Sequence, residues 1–206
     1  MIRLKILFRR TLALSLCSTL LTGEDVSAST GRVSTCMVTL ADFKRNRTLS
    51  WADFDLSPDM YKGAMWLSSR GCYKEAVVVG RDYLAHGPSL SIREHAITTF
   101  HMARNAARAG DKESAALLAA ASRRSDQAPD APLDWNSYVI GFYGYLIADR
   151  ALVQASYYRL LAKGGESNRI NAAVLARTLS CFERSFVQVE TNPKCAVSLP
   201  ELEQSK

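Results

Sequence analysis

The sequence predicts an all-α fold for the chain from residue 57 onward. Capping serines and aspartates recur along it, and apolar residues follow them at intervals of three and four. Glycines separate these segments, as they do where one helix ends and the next begins. The β-branched run at residues 77–79 is the nearest approach to a strand, and its flanks are helical. Together these observations favour helices packed against helices.

Seven helices are predicted. The first begins at Ser57-Pro58, a capping serine followed by a proline at the first helical position, and it ends at Gly71. The second covers about residues 73–85. The third opens on a capping box formed by Ser91 and Glu94. The remaining four follow the capping residues Asp111, Asp134, Asp149 and Ser167.

The segments on either side of these helices lack a clear helical pattern. Residues 29–56 are predicted to be irregular, apart from a short helix near residues 39–45. The tail from Val187 is predicted to be irregular as well. The predicted organisation is therefore a leader at 1–28, an irregular segment at 29–56, and a helical-repeat domain with an irregular tail at 57–206.

The first 28 residues have the order of a secretory signal peptide. Basic residues lie between positions 3 and 10, an apolar run covers 11–21, and small residues precede position 29. The apolar run is about half of the roughly 20 residues that a membrane-spanning helix needs. We therefore predict a periplasmic or extracellular protein with no stable transmembrane anchor after cleavage. A retained anchor and a lipid on Cys17 are the alternatives, although Leu16 is large for the residue before a lipidated cysteine.

Removing the leader leaves four cysteines, an even number that favours disulfides in an exported chain. Three pairings are possible. We favour Cys36–Cys72 and Cys181–Cys195, because each pair lies within one end of the chain. The second bridge would close a loop of about 15 residues, worth roughly 3 kcal/mol. Metal binding or thiol catalysis is the alternative, but the sequence has no CxxC motif and no histidine near these cysteines.

The full chain has a net charge of +6, and the smaller excess that remains without residues 1–28 is mild and spread out. The two basic clusters, at residues 44–47 and at Arg123-Arg124, contain no aromatic residue. A surface that binds nucleic acid needs a denser basic patch, with aromatic side chains for stacking. The sequence therefore predicts no nucleic-acid partner.

Two segments share a turn-and-helix signature. Residues 71–76 read Gly-Cys-Tyr-Lys-Glu-Ala, and residues 110–115, which begin 39 residues later, read Gly-Asp-Lys-Glu-Ser-Ala. A weaker echo begins at Ala148. Each copy lies between two predicted helices, where the glycine reverses the chain and the alanine allows close packing.

These segments resemble the turn and second helix of the tetratricopeptide repeat. The period is longer than the roughly 34 residues typical of that repeat, so the copies are degenerate. The resemblance implies a right-handed α-solenoid of about three helical hairpins plus a C-terminal helix, braced by the two disulfides. It also implies a concave surface that binds a peptide or protein. The matching residues are Gly71, Tyr73, Ala76, Leu84 and Pro88 in the first copy, and Gly110 and Ala115 in the second.

The layout of the chain also resembles small exported bacterial proteins. This second resemblance implies a fold and a location, and it supplies no activity. The residues that carry it are Cys36, the segment 71–76, Asp134-Trp135-Asn136 with Tyr138, Cys181-Phe182 and Cys195.

The leading functional hypothesis is a non-enzymatic protein–protein interaction module that uses the surface of the helical repeat. Arg104 and Arg108, one turn apart on the third helix, are candidates to bind acidic groups of a partner. Tyr138 and Tyr145 on the fifth helix are candidates for the same groove, because tyrosine is enriched at interfaces. The alternatives are solvated arginines and core tyrosines.

No catalytic, metal-binding or cofactor-binding residue is predicted. His95 and His101 are six residues apart and do not share a helix face. The acids Asp53, Asp55 and Asp59 lack the glycine and final glutamate of a calcium loop. An exported enzyme, such as a hydrolase, is the second hypothesis, and a deep pocket with a histidine beside a carboxylate would favour it. An envelope-associated structural helper is the third.

Overall fold

Residues 36–197 are described in the computed structural model, and these residues fold into nine α-helices with no strand among them. The all-α prediction is confirmed for this part of the chain, all of which falls in one compact unit. A π-helical segment at Ala52–Leu56 and a 3₁₀ turn at Pro193–Cys195 accompany the helices. The helices are α1 (Leu40–Asn46), α2 (Ala64–Ser69), α3 (Tyr73–His86), α4 (Ile92–Arg108), α5 (Lys112–Ala121), α6 (Trp135–Leu146), α7 (Arg150–Lys163), α8 (Glu166–Ser180) and α9 (Phe186–Thr191).

Five of the predicted helix starts are confirmed, and the first of them is the start of α3 at Tyr73. Ser91 and Glu94 form the capping box of α4. Asp111, Asp134 and Asp149 begin α5, α6 and α7, and each accepts a hydrogen bond from the backbone N–H three residues further on. A capping side chain of this kind stabilises a helix by about 1 kcal/mol. Local sequence therefore determines where these helices begin.

The first predicted helix is shorter than the sequence indicates. The prediction of a start at Ser57 is wrong, because α2 begins at Ala64 and the residues between form turns. A side chain of α1 holds these turns, since Arg45 donates a 2.6 Å hydrogen bond to the carbonyl oxygen of Tyr61. Lys62 then takes a φ of +57°, a left-handed conformation that interrupts a helix. Tertiary contacts override the capping signal here.

Two further boundaries differ from the prediction. α8 begins at Glu166, one residue before the predicted capping residue Ser167. The tail that was predicted to be irregular from Val187 is helical through α9, which opens on a capping box formed by Ser185 and Gln188. α9 packs against α4 and α8.

The segment 29–56 was predicted to be irregular apart from one short helix. From residue 36 onward, the structure shows more helix than that. The segment contains α1, which matches the predicted short helix, and the π-helical segment, which the sequence did not indicate. Asp42 of α1 is buried and lies 2.9 Å from the Nζ atom of Lys62, which is also buried. The predicted signal peptide at 1–28 lies outside the described residues.

Both predicted disulfides are confirmed. Cys36 and Cys72 join the N-terminal segment to the start of α3, and Cys181 and Cys195 enclose α9. Disulfides persist in oxidising compartments, so these bridges indicate a non-cytoplasmic environment. Across residues 36–197, no helix has the length and apolar character that crossing a membrane requires.

Successive helices from α2 to α9 pack against one another around two apolar clusters. The smaller cluster is built mainly from the π-helical segment, α2 and α3. In the larger apolar cluster, Phe100 of α4 contacts three other aromatic rings. The ring centroid of Phe100 lies 5.1–5.2 Å from those of Trp135, Tyr138 and Phe142. The apolar side of α4 is therefore used in the core, which leaves its polar side for another role.

Gly141 allows α6 to pack closely against α7 and α8. A Cβ atom at this position would overlap Cδ1 of Leu175 and lie 3.0 Å from the Cβ of Ser156. We expect Gly141→Ala to lower the free energy of unfolding by about 1–3 kcal/mol, because overpacking outweighs the better helix propensity of alanine. Urea unfolding measures the change. As a control, Gly141→Ala should cost less in a Leu175→Ala background; an equal cost in both backgrounds would contradict the packing explanation.

Candidate functional site

A polar cleft with a volume of about 290 Å³ lies between α2, α4 and α9. α4 contributes the side chains at positions 101, 104, 105 and 108, which share one face of the helix because their spacing is helical. We refer to this site as the α4 cleft. It is lined by Asp55, Ala64, Met65, Ser68, Ser69, Tyr73, His101, Arg104, Asn105, Arg108 and Glu190.

Arg104 and Arg108 bind the carboxylate of Glu190, which α9 brings to the α4 cleft. Arg108 uses two nitrogens: Nε donates to Oε2 at 2.7 Å, and Nη2 donates to Oε1 at 2.8 Å. Arg104 Nη2 donates to Oε1 at 2.7 Å. A bidentate guanidinium–carboxylate pair fixes orientation as well as distance. The two arginines predicted to bind acidic groups therefore already bind one within the chain.

Burial and pairing act against each other in this cluster. Burial acts to raise the pKa of Glu190, but the hydrogen bonds and charges of Arg108 and Arg104 outweigh it, and the pKa is lowered. Burial likewise acts to lower the pKa of Arg104, and nearby Tyr138 and Glu190 reverse the effect, so that the pKa is raised. At neutral pH the cluster therefore contains two cations and one anion.

Glu190→Gln is expected to lower the free energy of unfolding by about 2 kcal/mol, because two partly buried guanidinium groups lose their carboxylate. The pKa of Glu190 is lowered in the folded chain, so its contribution is fully present above the ordinary pKa of 4.5 and is lost as the pH falls through the lowered value. Urea unfolding at pH 7 and pH 3 measures both effects.

The acid-induced loss of stability should be smaller in Glu190→Gln than in the wild type. Glu113→Gln serves as the control, because Glu113 is exposed on α5 and forms no ion pair with the described residues. Equal acid-induced losses in the wild type and in Glu190→Gln would contradict the assignment.

His101 and Asp55 form a second pair in the α4 cleft, with His101 Nδ1 2.9 Å from Asp55 Oδ2. The Asp55 side chain is 1% exposed on the π-helical segment, whereas that of His101 is 26% exposed. Thr98 donates a 3.1 Å hydrogen bond to the same carboxylate oxygen and accepts one of 2.9 Å from Trp51 Nε1. The hydrogen bond from Thr98 thus fixes the carboxylate of Asp55, and the carboxylate in turn orients the imidazole ring of His101.

The serine hydroxyl groups of the α4 cleft are committed to other partners. Ser68 Oγ donates to Asn105 Oδ1 at 2.7 Å and accepts a hydrogen bond from Arg108 Nη1 at 3.0 Å. Ser69 Oγ donates to the carbonyl oxygen of Trp66 at 2.9 Å. Within residues 36–197, neither serine is hydrogen-bonded to a histidine.

The two tyrosines predicted for the groove lie in the core. Tyr138 and Tyr145 are each 5% exposed. Tyr145 donates a 2.6 Å hydrogen bond to the carbonyl oxygen of Arg184, and burial raises the pKa of Tyr145 to about 12. Of the four residues predicted for the groove, Arg104 and Arg108 line the α4 cleft and the tyrosines do not.

Asp55, His101 and Glu190 were not predicted as site residues, because distant parts of the chain bring them together. The separation is 46 residues between Asp55 and His101, and 82 between Arg108 and Glu190. One signal was present in the sequence. α4 carries polar residues at positions 98, 101, 105 and 108, a helical stripe beside its apolar one.

Metal ligands are a further question for a cleft that contains two acids and a histidine. In the part of the chain that is described, no group of three or more histidine, cysteine, aspartate or glutamate side chains could hold a metal ion.

No protein-family model, curated protein or solved structure matches the chain. Function is therefore inferred from the chemistry of the α4 cleft.

Proposed function

We propose that the protein is an exported interaction module that holds a short polar segment of a partner protein in the α4 cleft. In this proposal residues 1–28 are a cleaved signal peptide, and the oxidised chain works in the periplasm or the extracellular space. The helices form a degenerate tetratricopeptide-like α-solenoid. Its support is that each helix from α2 to α9 packs on the next, with left-handed glycines at the turns Gly71 and Gly110.

The observation that carries this proposal is the charged cluster of Arg104, Arg108 and Glu190. Its members hold one another in place, so little side-chain entropy remains to be lost when a partner binds. They offer both donors and an acceptor, and a peptide backbone needs both because it carries N–H and C=O groups. The volume of about 290 Å³ is at the small end of ligand sites and suits a short segment.

Arg104 has an unused donor. Its Nε atom is buried and makes no hydrogen bond to any described residue. A buried donor without a partner costs about 1–3 kcal/mol, and an oxygen atom of a bound segment would remove that cost after a small shift of the side chain. Asp55 adds a second negative charge to the α4 cleft, so the site does not favour a strongly anionic polymer.

A photocrosslinking side chain at Ser69, which is exposed and lines the α4 cleft, tests the proposal in cells that export the full chain. The matched control carries the same group at Ile170, which is exposed on α8 away from the cleft. We expect a discrete adduct from position 69 that disappears when Arg104→Gln is added. An adduct that is absent, that forms equally at position 170, or that survives Arg104→Gln would overturn the proposal.

A further inference from the structure

We infer that the α4 cleft also hydrolyses carboxylic esters, with His101 as general base and Asp55 as its positioning residue. This activity goes beyond the proposed function, because holding a partner segment requires no proton transfer. It rests on three features of the cleft: the geometry of the His101–Asp55 pair, the way Asp55 is buried, and the cation that lies beside His101.

The His101–Asp55 pair leaves one ring nitrogen free for chemistry. In the proposed mechanism His101 donates its Nδ1–H to Asp55 Oδ2, which lies 2.9 Å away, because a carboxylate oxygen accepts hydrogen bonds. The lone pair is then on Nε2, at the other edge of the ring, and Nε2 makes no hydrogen bond to a described residue. His101 lines the α4 cleft and its side chain is 26% exposed, so the proposal places Nε2 toward a bound molecule. Fixing the tautomer in this way is what a base needs.

Asp55 and Asp42 are both buried carboxylates, but their partners differ. Asp42 lies next to Lys62 and Arg45, the two cations expected of a structural ion pair. Asp55 is also buried, and its partners among residues 36–197 are the hydroxyl of Thr98 and the imidazole of His101. It also lies in a π-helical turn, a conformation often found at functional sites. Its burial therefore orients a histidine that reaches the cleft.

Water is the attacking group in this proposal. The hydroxyl hydrogens of Ser68 and Ser69 are donated to Asn105 and to the carbonyl oxygen of Trp66, so they do not supply a nucleophile to His101. His101 Nε2 instead takes a proton from a water molecule as its oxygen attacks the ester carbonyl carbon. The C–O bond to the alcohol then breaks, and His101 returns the proton to the departing alkoxide. The products are a carboxylic acid and an alcohol.

In the proposed mechanism Arg104 supplies the positive charge that the reaction needs. It follows His101 by three residues on α4, so both side chains lie on the same face and line the same cleft. A fixed cation next to the carbonyl oxygen stabilises the tetrahedral intermediate. Esters are the substrate class because an alkoxide leaves more readily than an amide nitrogen, which needs a stronger acid than the cleft supplies.

Hydrolysis of p-nitrophenyl acetate and p-nitrophenyl butyrate by the oxidised full chain tests the inference. We expect His101→Gln to lower kcat/KM about 10²- to 10⁴-fold. The chain has three histidines, and His86 and His95 are exposed, so His86→Gln and His95→Gln are matched controls for reaction at any surface imidazole. We expect both controls to keep the wild-type rate.

Asp55→Asn distinguishes positioning from support of the fold. The amide keeps an acceptor oxygen for Thr98 but adds a donor at a buried position, so the variant should unfold at a lower urea concentration than the wild type. Kinetics are measured where urea unfolding shows the variant to be folded, and there we expect KM to be retained and kcat to be lowered at least tenfold. In His101→Ala, free imidazole should restore part of the rate. Wild-type turnover no faster than that of His86→Gln,His95→Gln,His101→Gln, or full activity in either His101→Gln or Asp55→Asn, would overturn the inference. Crosslinking at Ser69 reports separately on the interaction module.

Discussion

Replacing Lys62 with methionine is expected to lower the free energy of unfolding by about 3 kcal/mol. The Nζ atom of Lys62 lies 2.9 Å from Asp42 Oδ2, and the two side chains are only 10% and 8% exposed. Removing one member of a buried pair leaves the other charge without its partner, which costs more than the pair itself contributes. Urea unfolding at pH 7 measures the loss.

The same variant should change how stability depends on pH. Burial acts to raise the pKa of Asp42, but hydrogen bonds from Thr39 and Lys62 outweigh it and lower the pKa from 3.8 to about 2. Asp42 therefore contributes stability that is fully present above pH 3.8 and is lost as the pH falls toward 2. In Lys62→Met the pKa of Asp42 rises, so less stability should be lost over this interval.

Two further variants separate the buried pair from general effects of a lost lysine. Lys44→Met is the matched control, because Lys44 is exposed on the same helix as Asp42. It should change stability by less than about 0.5 kcal/mol. Adding Asp42→Asn to Lys62→Met should recover part of the loss, because no unpaired charge is left behind. A Lys62→Met variant as stable as the control would contradict the prediction.

Removing the disulfide between Cys36 and Cys72, by replacing both residues with alanine, is expected to lower the free energy of unfolding by about 4 kcal/mol. The two cysteines are 36 residues apart, and in the loop-entropy model a larger loop gains more from closure. The bridge also fastens the segment before α1 to the smaller apolar cluster, which contains Cys72 and against which Cys36 packs. Urea unfolding of the oxidised proteins measures the difference.

The second disulfide provides the matched comparison. Cys181 and Cys195 are 14 residues apart, so replacing both with alanine should cost about 3 kcal/mol, less than the first pair. Peptide mapping without reductant verifies that the remaining bridge is intact in each variant. A smaller loss for the Cys36–Cys72 variant than for the Cys181–Cys195 variant would contradict the ranking.

Features that depend on neighbouring residues could be predicted from the sequence. The capping aspartates at 111, 134 and 149 fix helix starts within one turn, and both cysteine pairs lie within one end of the chain. The capping box at Ser185 and Gln188 is equally local, but the sequence analysis did not identify it and predicted an irregular tail from Val187. The start of α2 could not be predicted, since hydrogen bonds from α1 determine it.

The α4 cleft depends on contacts between distant residues. Arg104 and Arg108 could be selected by their spacing on one helix, but no local pattern indicates that Glu190 balances their charge. In the same way, the sequence analysis compared His101 only with His95 and found that the two do not share a helix face, whereas the partner of His101 is Asp55, 46 residues away. Tyrosine is a residue type common at interfaces, so the sequence made Tyr138 and Tyr145 candidates for the groove. Only the packing of the folded chain shows that they lie in the core.

Glu190 gives the α4 cleft a dependence on the order of synthesis. During translation α4 is synthesised before Glu190, which follows Arg108 by 82 residues. Until then, Arg104 and Arg108 of the nascent chain lack the carboxylate that pairs with them. α9 supplies the anion, and the bridge from Cys181 to Cys195 closes around that helix. A chain that stops short of residue 186 would keep every arginine of the cleft and lose its balance of charge. The charge balance of the α4 cleft therefore requires a chain that has been synthesised through α9.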